Sequence, residues 1–325
     1  MRFLAIFFLH RAAQALLVMF VISLVAFGIK DFLGDPVREM TGEAVSDVER
    51  ERIRDELGLN DPWLVQYGRF AGNAARGKLP TSYFYKEPSL KKILEKFPAT
   101  AELVFVTALF TILFSIPLGL FCAVRPRSFL ARLVMGGSLL GISIPVFLIA
   151  YALLYAFAPP LPVIGRGENL VNILGWKTGL LTLDGLRHLL LPSLALTAIM
   201  LPLFLRLVRG EMRGIIPRDY LRTARAKGVG PGRLWFVHAL RNGLLPVITV
   251  GGVQLGTLLA YTLITETVFQ WGGLGSLFMT AVDHGDINLI VSYLVFTGFV
   301  FVAVNTVVDL LYAMVNPQVR TGGMA

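Results

Sequence analysis

The sequence is poor in charge and contains a single cysteine. Only 16% of its 325 residues are Asp, Glu, Lys or Arg, whereas 55% are hydrophobic and the mean hydropathy is +0.68. This composition excludes an ordinary soluble domain, because water cannot solvate so much apolar surface, and it predicts a membrane protein. Cys122 has no second cysteine for a disulfide or a metal cluster, so we expect it to be a packing residue.

The sequence also lacks a phosphate-binding loop. No G-x-x-x-x-G-K-[ST] pattern occurs, and the glycine clusters are not followed by the Lys and Ser or Thr that would hold phosphates and magnesium. The four histidines lie on different segments without metal-ligand spacing: His10, His188, His238 and His284. We therefore expect no ATP hydrolysis, bound cofactor, metal site or catalytic residue in this chain.

Six apolar runs are each long enough to cross a hydrocarbon core of about 30 Å as a helix of roughly 20 residues. The predicted spans are 12–29, 101–124, 133–158, 189–205, 244–265 and 289–315. Because the runs are continuously apolar rather than alternating, helices are favoured over a β-barrel. The predicted fold class is an all-α integral membrane protein. No A-x-A-like cleavage site follows the first span, so we expect it to be retained.

Lys and Arg are distributed unevenly among the connections. The connections after the second and fourth spans are rich in them, whereas the connection after the fifth span contains acidic residues and no Lys or Arg. Short connections rich in Lys and Arg stay in the cytosol, so both termini are predicted to be cytosolic. The connection between the first two spans is then extracytoplasmic. The basic face also attracts anionic lipid, and nucleic acid is not implied.

The long connection between the first two spans is predicted to contain two helices. Residues 46–58 begin with a capping Ser46, alternate in charge at helical spacing and stop at Gly58. Residues 60–77 carry an aromatic stripe of Trp63, Tyr67 and Phe70. Such a stripe packs on the membrane surface, on the chain's own spans or on an external partner. Pro98 is expected to open the second span.

Residues 219–246 form a basic, glycine-punctuated segment between the fourth and fifth spans. A short helix is predicted at 219–227, because Asp219 suits the positive end of the helix dipole and Gly228 suits a left-handed stop. So short a helix is unstable alone in water and needs something to dock on. Pro231 begins a second helix that leads into the fifth span.

The predicted short helix has two different faces. Leu221, Ala224 and Gly228 form a small or apolar face. The other face is basic and consists of Arg222, Arg225 and Lys227. This is the pattern of a helix that lies in a partner's groove. A basic helix resting on anionic lipid is the alternative interpretation.

These residues resemble those of a known family, the inner-membrane permease subunits of ATP-binding-cassette importers in the dipeptide, oligopeptide and nickel branch. That family carries a cytoplasmic coupling motif, EAA, three residues and Gly, and RTARAKG (222–228) aligns with it. Arg222 departs from the general motif, which has Glu there, but matches the peptide branch. Further similar stretches, in chain order, are GDPVREM (34–40), ELGLNDPWLVQY (56–67), FPATAEL (97–103), ETVFQWGGLG (266–275) and NTVVDLLYAMVNPQVR (305–320). The resemblance covers nearly the whole chain, although GKLPTSY (77–83) departs from the branch pattern.

The resemblance implies a type I importer permease fold. The expected domains are a first helix with its extracytoplasmic loop (1–96), a five-helix core with the coupling helix near 219–228 (97–316) and a cytosolic tail (317–325). The expected partners are a second permease subunit, two ATPase subunits that use ATP and magnesium, and an extracytoplasmic solute-binding protein. The expected location is the bacterial inner membrane, and peptide is the expected solute.

A polar stripe in the fifth span is a candidate for the translocation pathway. Gln254, Thr257, Tyr261 and Thr265 share one helix face. Polar residues in a membrane helix face water or protein, so hydrogen bonding between helices is the alternative.

Small and acidic residues in the spans have structural interpretations. The pairs Gly137 and Gly141, and Gly252 and Gly256, have the small-x-x-x-small spacing of helix contacts. Three prolines are expected to kink their spans: Pro145, Pro192 and Pro202. Glu102 is expected in the first turn of its helix, where it complements the dipole. Glu266 is expected at the outer mouth, in contact with the binding protein or in a hydrogen bond at the helix end.

Two rival classes remain on sequence grounds. A secondary transporter needs no ATPase, but it usually has midplane ionisable residues and inverted repeats, neither of which is clear here. An intramembrane enzyme needs a nucleophile, a base or metal ligands at similar depth, and no such set is found.

Overall fold

A computed structural model describes residues 2–33, 37, 46–56, 58–158, 160–173 and 175–315. Its helices are α1 (Arg2–Leu33), α2 (Asp47–Glu56), α3 (Trp63–Ala75), α4 (Ser89–Val124), α5 (Phe129–Ser143), α6 (Val146–Phe157), α7 (Leu183–Ile215), α8 (Asp219–Ala226), α9 (Pro231–Arg233), α10 (Leu240–Val268), α11 (Leu274–Asp283) and α12 (Ile287–Val315). A π-helical segment, Leu234–Ala239, joins α9 to α10. The short strands β1 (Val171–Ile173) and β2 (Trp176–Thr178) form an antiparallel hairpin. The all-α fold class is confirmed.

Within the described residues, five helices are long and apolar enough to cross a membrane, and a sixth crossing requires a bent pair. The bent pair is α5 and α6, which meet at an angle of 110°. The predicted span 133–158 is therefore broken into two helices at Pro145, which was expected to kink it. Pro145 explains the break, since it has no backbone N–H and restricts the preceding residue, and Ile144 is extended at φ −97° and ψ 126°.

The second span is also longer than predicted. Helix α4 begins at Ser89, so Pro98 and Glu102 lie inside it rather than at its start. The amphipathic turns before Pro98 are held by packing, because Ile93 is buried. Charge and hydropathy alone could not show that the turns before Pro98 and the apolar run 101–124 form one continuous helix. Glu102 therefore cannot complement a helix dipole in the first turn.

The described residues fall into two compact units. One unit comprises Met1–Pro98 and Gly273–Ala303, and the other comprises Ala99–Gly272 and Val304–Ala325. Each unit is discontinuous in sequence. The division into 1–96, 97–316 and 317–325 stays a prediction.

In the first unit, α3 packs on α1 through the predicted aromatic stripe. The Phe27 ring lies 5.5 Å from Trp63, 5.7 Å from Tyr67 and 5.2 Å from Phe70, measured between ring centroids. The hydroxyls of Ser23 and Tyr67 are 2.8 Å apart. The stripe therefore packs on the chain's own span, which was one of the three alternatives.

The same unit shows how residues 77–83 are held. Gly77 has φ +73°, and Ser82 donates a hydrogen bond to the buried carboxylate of Asp286. Asp286 also accepts hydrogen bonds from the backbone N–H of Phe84 (3.1 Å) and of Leu289 (3.0 Å). One buried carboxylate thus caps the start of α12 and fixes the loop before α4.

The second unit is organised around α7, which packs on α5, α6 and α10. Its core includes Leu103, Leu196, Leu205 and Met212, all fully or almost fully buried. Helix α7 continues through Pro192 and Pro202 without a break. With 33 residues, it is about 50 Å long and connects the two polar regions described below.

Candidate functional site

The basic segment after α7 forms the predicted short helix. Helix α8 runs from Asp219 to Ala226, and Gly228 follows with φ +81°. The backbone N–H groups of Gly228 and Val229 donate to the carbonyls of Arg225 (3.0 Å) and Ala224 (3.2 Å). Gly228 closes the helix because a residue with a Cβ is strained at this φ.

Helix α8 is attached to the segment that leads into the fifth span. Leu221 is 1% exposed and belongs to the same buried cluster as Leu240 of α10. The Asn242 amide donates a 3.1 Å hydrogen bond to the Tyr220 hydroxyl. The Arg225 guanidinium lies 5.5 Å from the centroid of the Trp235 ring. Helix α8 is therefore attached to the start of α10.

The apolar face of α8 is turned towards the chain itself. Leu221 is buried in the core and Ala224 packs against it, contrary to the expectation that they face a partner's groove. The solvent-facing side carries Arg222, whose side chain is 71% exposed and pairs with Asp219 at 3.6 Å. Gly228 is also exposed, with open space where a Cβ would be. The surface left for a partner is thus polar and basic.

A second polar region lies near the other end of α7. Glu102 is 2% exposed, and Arg166 donates to its carboxylate at 2.9 Å. The Trp176 indole N–H and the Gly179 backbone N–H donate to the same carboxylate at 3.1 Å and 3.2 Å. Arg166 also donates to the Lys177 carbonyl at 2.7 Å. Glu102 therefore holds the β1–β2 hairpin on α4.

The loop before the hairpin is held from two further directions. The Asp184 carboxylate of α7 accepts hydrogen bonds from the backbone N–H groups of Glu168 (3.0 Å) and Asn169 (3.3 Å). The Gly165 N–H donates to the Phe269 carbonyl after α10 at 2.9 Å. The connection between α6 and α7 is thus fixed to α4, α7 and α10.

Glu266 is buried at the end of α10 and is not a surface contact. It is 0% exposed, and the Thr100 hydroxyl donates to its carboxylate. The nearby Trp271 is 2% exposed, and its indole N–H donates to the Ala99 carbonyl at 2.9 Å. The structure thus shows the hydrogen-bonded alternative for Glu266 and not contact with an external partner.

The polar stripe of the fifth span does not share one environment. Thr265 is 0% exposed, and its hydroxyl donates to the Tyr261 carbonyl at 3.2 Å. Tyr261 packs against the core, and Thr257 is half-buried. Gln254 lines a cavity of about 390 Å³ between α4, α7, α10 and α12. Of the four predicted pathway residues, Gln254 alone is among the residues that line this cavity.

Sequence reasoning missed a column of hydroxyls on α4. Thr107, Thr111 and Ser115 are at most 3% exposed, and their hydroxyl oxygens have no hydrogen-bond partner among the described residues. Thr111 lines the cavity. Their i, i+4, i+8 spacing was visible in the sequence as a polar stripe inside an apolar span. The same kind of signal identified the candidate pathway residues of the fifth span.

Metal-ligating residues do not converge in the part of the chain that the structure describes. No group of three or more His, Cys, Asp or Glu residues in these ranges could hold a metal ion. His188 contacts Asp184, its Nδ1 atom lying 2.9 Å from the backbone carbonyl and 3.3 Å from the carboxylate. The absence of a metal site and of a bound cofactor stays a prediction.

Two family models match the chain. Residues 115–321 match the family described as binding-protein-dependent transport system inner membrane component, and residues 4–104 match the N-terminal model of the corresponding membrane component. The first match alone covers more than half of the chain.

Curated relatives are similar over most of their length. The di/tripeptide transport system permease protein DppB of Pseudomonas aeruginosa (strain UCBPP-PA14) is 37% identical over 318 residues, which cover 93% of this chain and 94% of the relative. The probable D,D-dipeptide transport system permease protein DdpB of Escherichia coli (strain K12) is 37% identical over 308 residues, covering 89% and 90%. The dipeptide transport system permease protein DppB of the same strain is 33% identical over 333 residues, covering 97% and 98%.

A solved structure shares the fold. A chain of the MetNI methionine ABC transporter in an inward-facing conformation superposes with a TM-score of 0.54 at 18% identity, covering 70% of this chain and 97% of that chain. This likeness concerns the fold only. Together with the apolar helices, the family matches show that the chain belongs to the inner-membrane components of binding-protein-dependent transport systems and is a membrane-spanning permease subunit.

Proposed function

We propose that this permease subunit forms half of the translocation pathway of an ATP-driven peptide importer. A second, related permease forms the other half, two ATPase subunits bind ATP and magnesium on the cytosolic side, and an extracytoplasmic binding protein delivers the peptide. Peptide is proposed because the curated relatives at 33 to 37% identity are named for di/tripeptide, dipeptide and D,D-dipeptide transport. The chain itself hydrolyses nothing and holds no cofactor.

The observation that carries the proposal is the attachment of α8 to α10. Helix α8 presents the exposed Arg222 on one side. On the other side it is attached to the π-helical segment and to the start of α10 by Leu221, Tyr220 and Arg225. A partner that binds the exposed side and moves would shift α10, because the buried Leu221 and the hydrogen bond between Tyr220 and Asn242 link the two helices. Binding of ATP by that partner would in this way favour one of two orientations of the spans.

An ATPase can bind α8 only if this helix lies on the cytosolic side of the membrane. We place α8 and both termini in the cytosol, where ATP is available, because the connection that contains α8 is strongly basic. The hairpin region and residues 34–88 are then extracytoplasmic and accessible to a binding protein. A secondary transporter would need no such exposed basic helix.

We predict that reversing the exposed charges uncouples transport from ATP hydrolysis. Arg222→Glu combined with Lys227→Glu should lower peptide-stimulated ATPase activity and dipeptide uptake about tenfold or more, because like charges would replace attraction at the partner surface, and both side chains are exposed. The measurement is uptake and phosphate release by the complete complex in proteoliposomes. Membrane insertion should be unchanged, since Leu221 still holds α8.

Arg233→Glu is the matched control, because Arg233 is an exposed arginine on α9 outside α8. It should retain activity within about twofold, since reversal of an isolated exposed charge has small effects. An equal loss of ATPase activity and dipeptide uptake in the control and in the α8 variant would reject a specific role for α8. Dipeptide uptake by this chain alone, without ATP, would reject the importer itself in favour of a secondary transporter.

A further inference from the structure

The cavity between α4, α7, α10 and α12 has an unusual lining. It is about 390 Å³ in volume, within the range of about 300–1,000 Å³ that is typical of small-ligand sites. Apolar side chains such as Ile112, Met200 and Leu258 form most of its wall. Two side chains with hydrogen-bonding groups, Thr111 and Gln254, interrupt this apolar surface.

Both polar residues lie deep within their spans. Gln254 is at the middle of α10, roughly 21 Å from either end of the helix at about 1.5 Å per residue. Thr111 is about 20 Å from the end of α4 at Val124 by the same rise. Polar groups this deep in a span face the protein interior or a cavity and need a hydrogen-bond partner there.

The hydroxyl of Thr111 lacks such a partner among the described residues. Thr111 is 3% exposed, and its oxygen accepts or donates no hydrogen bond there. A buried hydroxyl without a hydrogen bond costs about 1–3 kcal/mol. Thr107 and Ser115 carry the same cost, but of these three residues Thr111 alone lines the cavity, where a bound group can supply the partner. An acyl chain would leave this cost in place, since it has no hydrogen-bonding group.

We propose that this cavity receives an apolar side chain of the transported peptide, with Thr111 and Gln254 binding the adjacent peptide group. The primary amide of Gln254 offers both a donor and an acceptor, which is what a peptide N–H and C=O require. The Thr111 hydroxyl then gains the partner it lacks. The inference rests on the proposed function and adds a specificity-determining site to it.

Cavity filling provides the first test, with the complete complex in proteoliposomes and two peptides, alanyl-alanine and alanyl-phenylalanine. Ala108 lines the cavity, so Ala108→Leu should lower alanyl-phenylalanine uptake at least tenfold relative to alanyl-alanine uptake. Ala152→Leu, at an exposed position of α6, is the control and should leave the ratio unchanged. Because the binding protein is the same throughout, a changed ratio reports on the permease.

Removal of the hydroxyl provides the second test. Thr111→Val should raise the half-saturating concentration of both peptides about fivefold, the effect of one lost hydrogen bond. Thr107→Val is matched in burial and chemistry but lies outside the cavity lining, so it should have no such effect. Equal effects of the two substitutions, or equal inhibition of both peptides by Ala108→Leu, would overturn the proposal.

Photolabelling of the unmodified protein tests the site without any substitution. Alanyl-photoleucine, which carries a diazirine, should label residues of α4 and α10 next to the cavity during turnover. Labelling there by a phospholipid with a diazirine acyl chain, and not by the peptide, would overturn the proposal and identify a lipid site. If the unmodified complex imports neither peptide with ATP, the proposed function itself fails. If it imports both peptides, and Ala108→Leu leaves the ratio of alanyl-phenylalanine to alanyl-alanine uptake unaltered, only the assignment of the cavity fails.

Discussion

Glycines with the same spacing have different neighbours in this chain. A Cβ on Gly141 of α5 would collide with the backbone carbonyl of Ala198 on α7, and a Cβ on Gly252 would collide with Val308. Among the described residues, and apart from the chain neighbours and helix backbone of Gly137 itself, no atom lies within 4 Å of the position that a Cβ on Gly137 would occupy. The small-x-x-x-small pattern therefore identified a close helix contact at Gly141 and at Gly252, but not at Gly137. Spacing shows which residues share a face, whereas the approach of the neighbouring helix decides which of them must be small.

This difference gives a prediction at single residues. Gly141→Leu should separate α5 from α7 and destabilise the protein by about 1–3 kcal/mol, the usual cost of overpacking. Gly137→Leu, one turn away on the same helix, should change stability much less. Thermal unfolding of the two purified variants in the same detergent measures the difference, and equal stability of both would show that α5 and α7 are not in close contact at Gly141.

At the scale of elements, buried carboxylates hold connections in place. Glu102 accepts hydrogen bonds from Arg166, Trp176 and Gly179, so a single side chain of α4 fixes the hairpin. The buried ion pair of Glu102 and Arg166 is favourable only when all its hydrogen bonds are made, because both charged groups are removed from water. Loss of one partner leaves the other charge buried.

We therefore predict that Glu102→Gln releases the hairpin. The substitution leaves Arg166 without its counter-charge, and breaking a buried pair in this way typically costs about 3–5 kcal/mol. Hydrogen exchange of residues 160–182 should become faster, whereas exchange in α8 should not change. Glu168→Gln alters an exposed carboxylate of the same loop and serves as the control. Unchanged protection of the hairpin in Glu102→Gln would mean that the Arg166 pair does not hold it.

At the scale of the whole molecule, charge asymmetry decides the proposed orientation. The connection that contains α8 is strongly basic, whereas the connection between α10 and α12 contains no Lys or Arg. The two polar regions at the ends of α7 then lie on opposite sides of the membrane. One of them would meet ATPase subunits and the other would meet a binding protein.

Cysteine labelling tests this orientation. Cys122 is 0% exposed, so the unmodified protein should react little with a membrane-impermeant maleimide. Lys177→Cys in β2 should be labelled in intact spheroplasts, and Lys227→Cys after α8 should be labelled only after permeabilisation. Both lysines are exposed, so accessibility to the reagent is matched. The opposite pattern would place α8 outside and contradict the proposed coupling to ATP.

Much of the fold was determined by the sequence alone, because it depends on local patterns. Apolar run length identified the spans, and the charge pattern and caps located α2 and α8, with Gly58 and Gly228 both at positive φ. The aromatic spacing of α3 indicated that the face with Trp63, Tyr67 and Phe70 is packed, but it did not show that this face contacts α1. Motifs in the right order were sufficient to identify the family.

Only the tertiary structure decided which partner each buried polar or small residue has. From sequence, Glu102 was expected at a helix start, two alternatives were open for Glu266, and the burial of Leu221 in the chain's own core was not predicted. Their environments come from distant segments such as Arg166, Thr100 and the α10 region. The cavity at Thr111 and Gln254 likewise exists only where four helices meet. Periodicity within one helix specifies a face, but the free energy of a buried group depends on atoms that the chain brings to it from elsewhere.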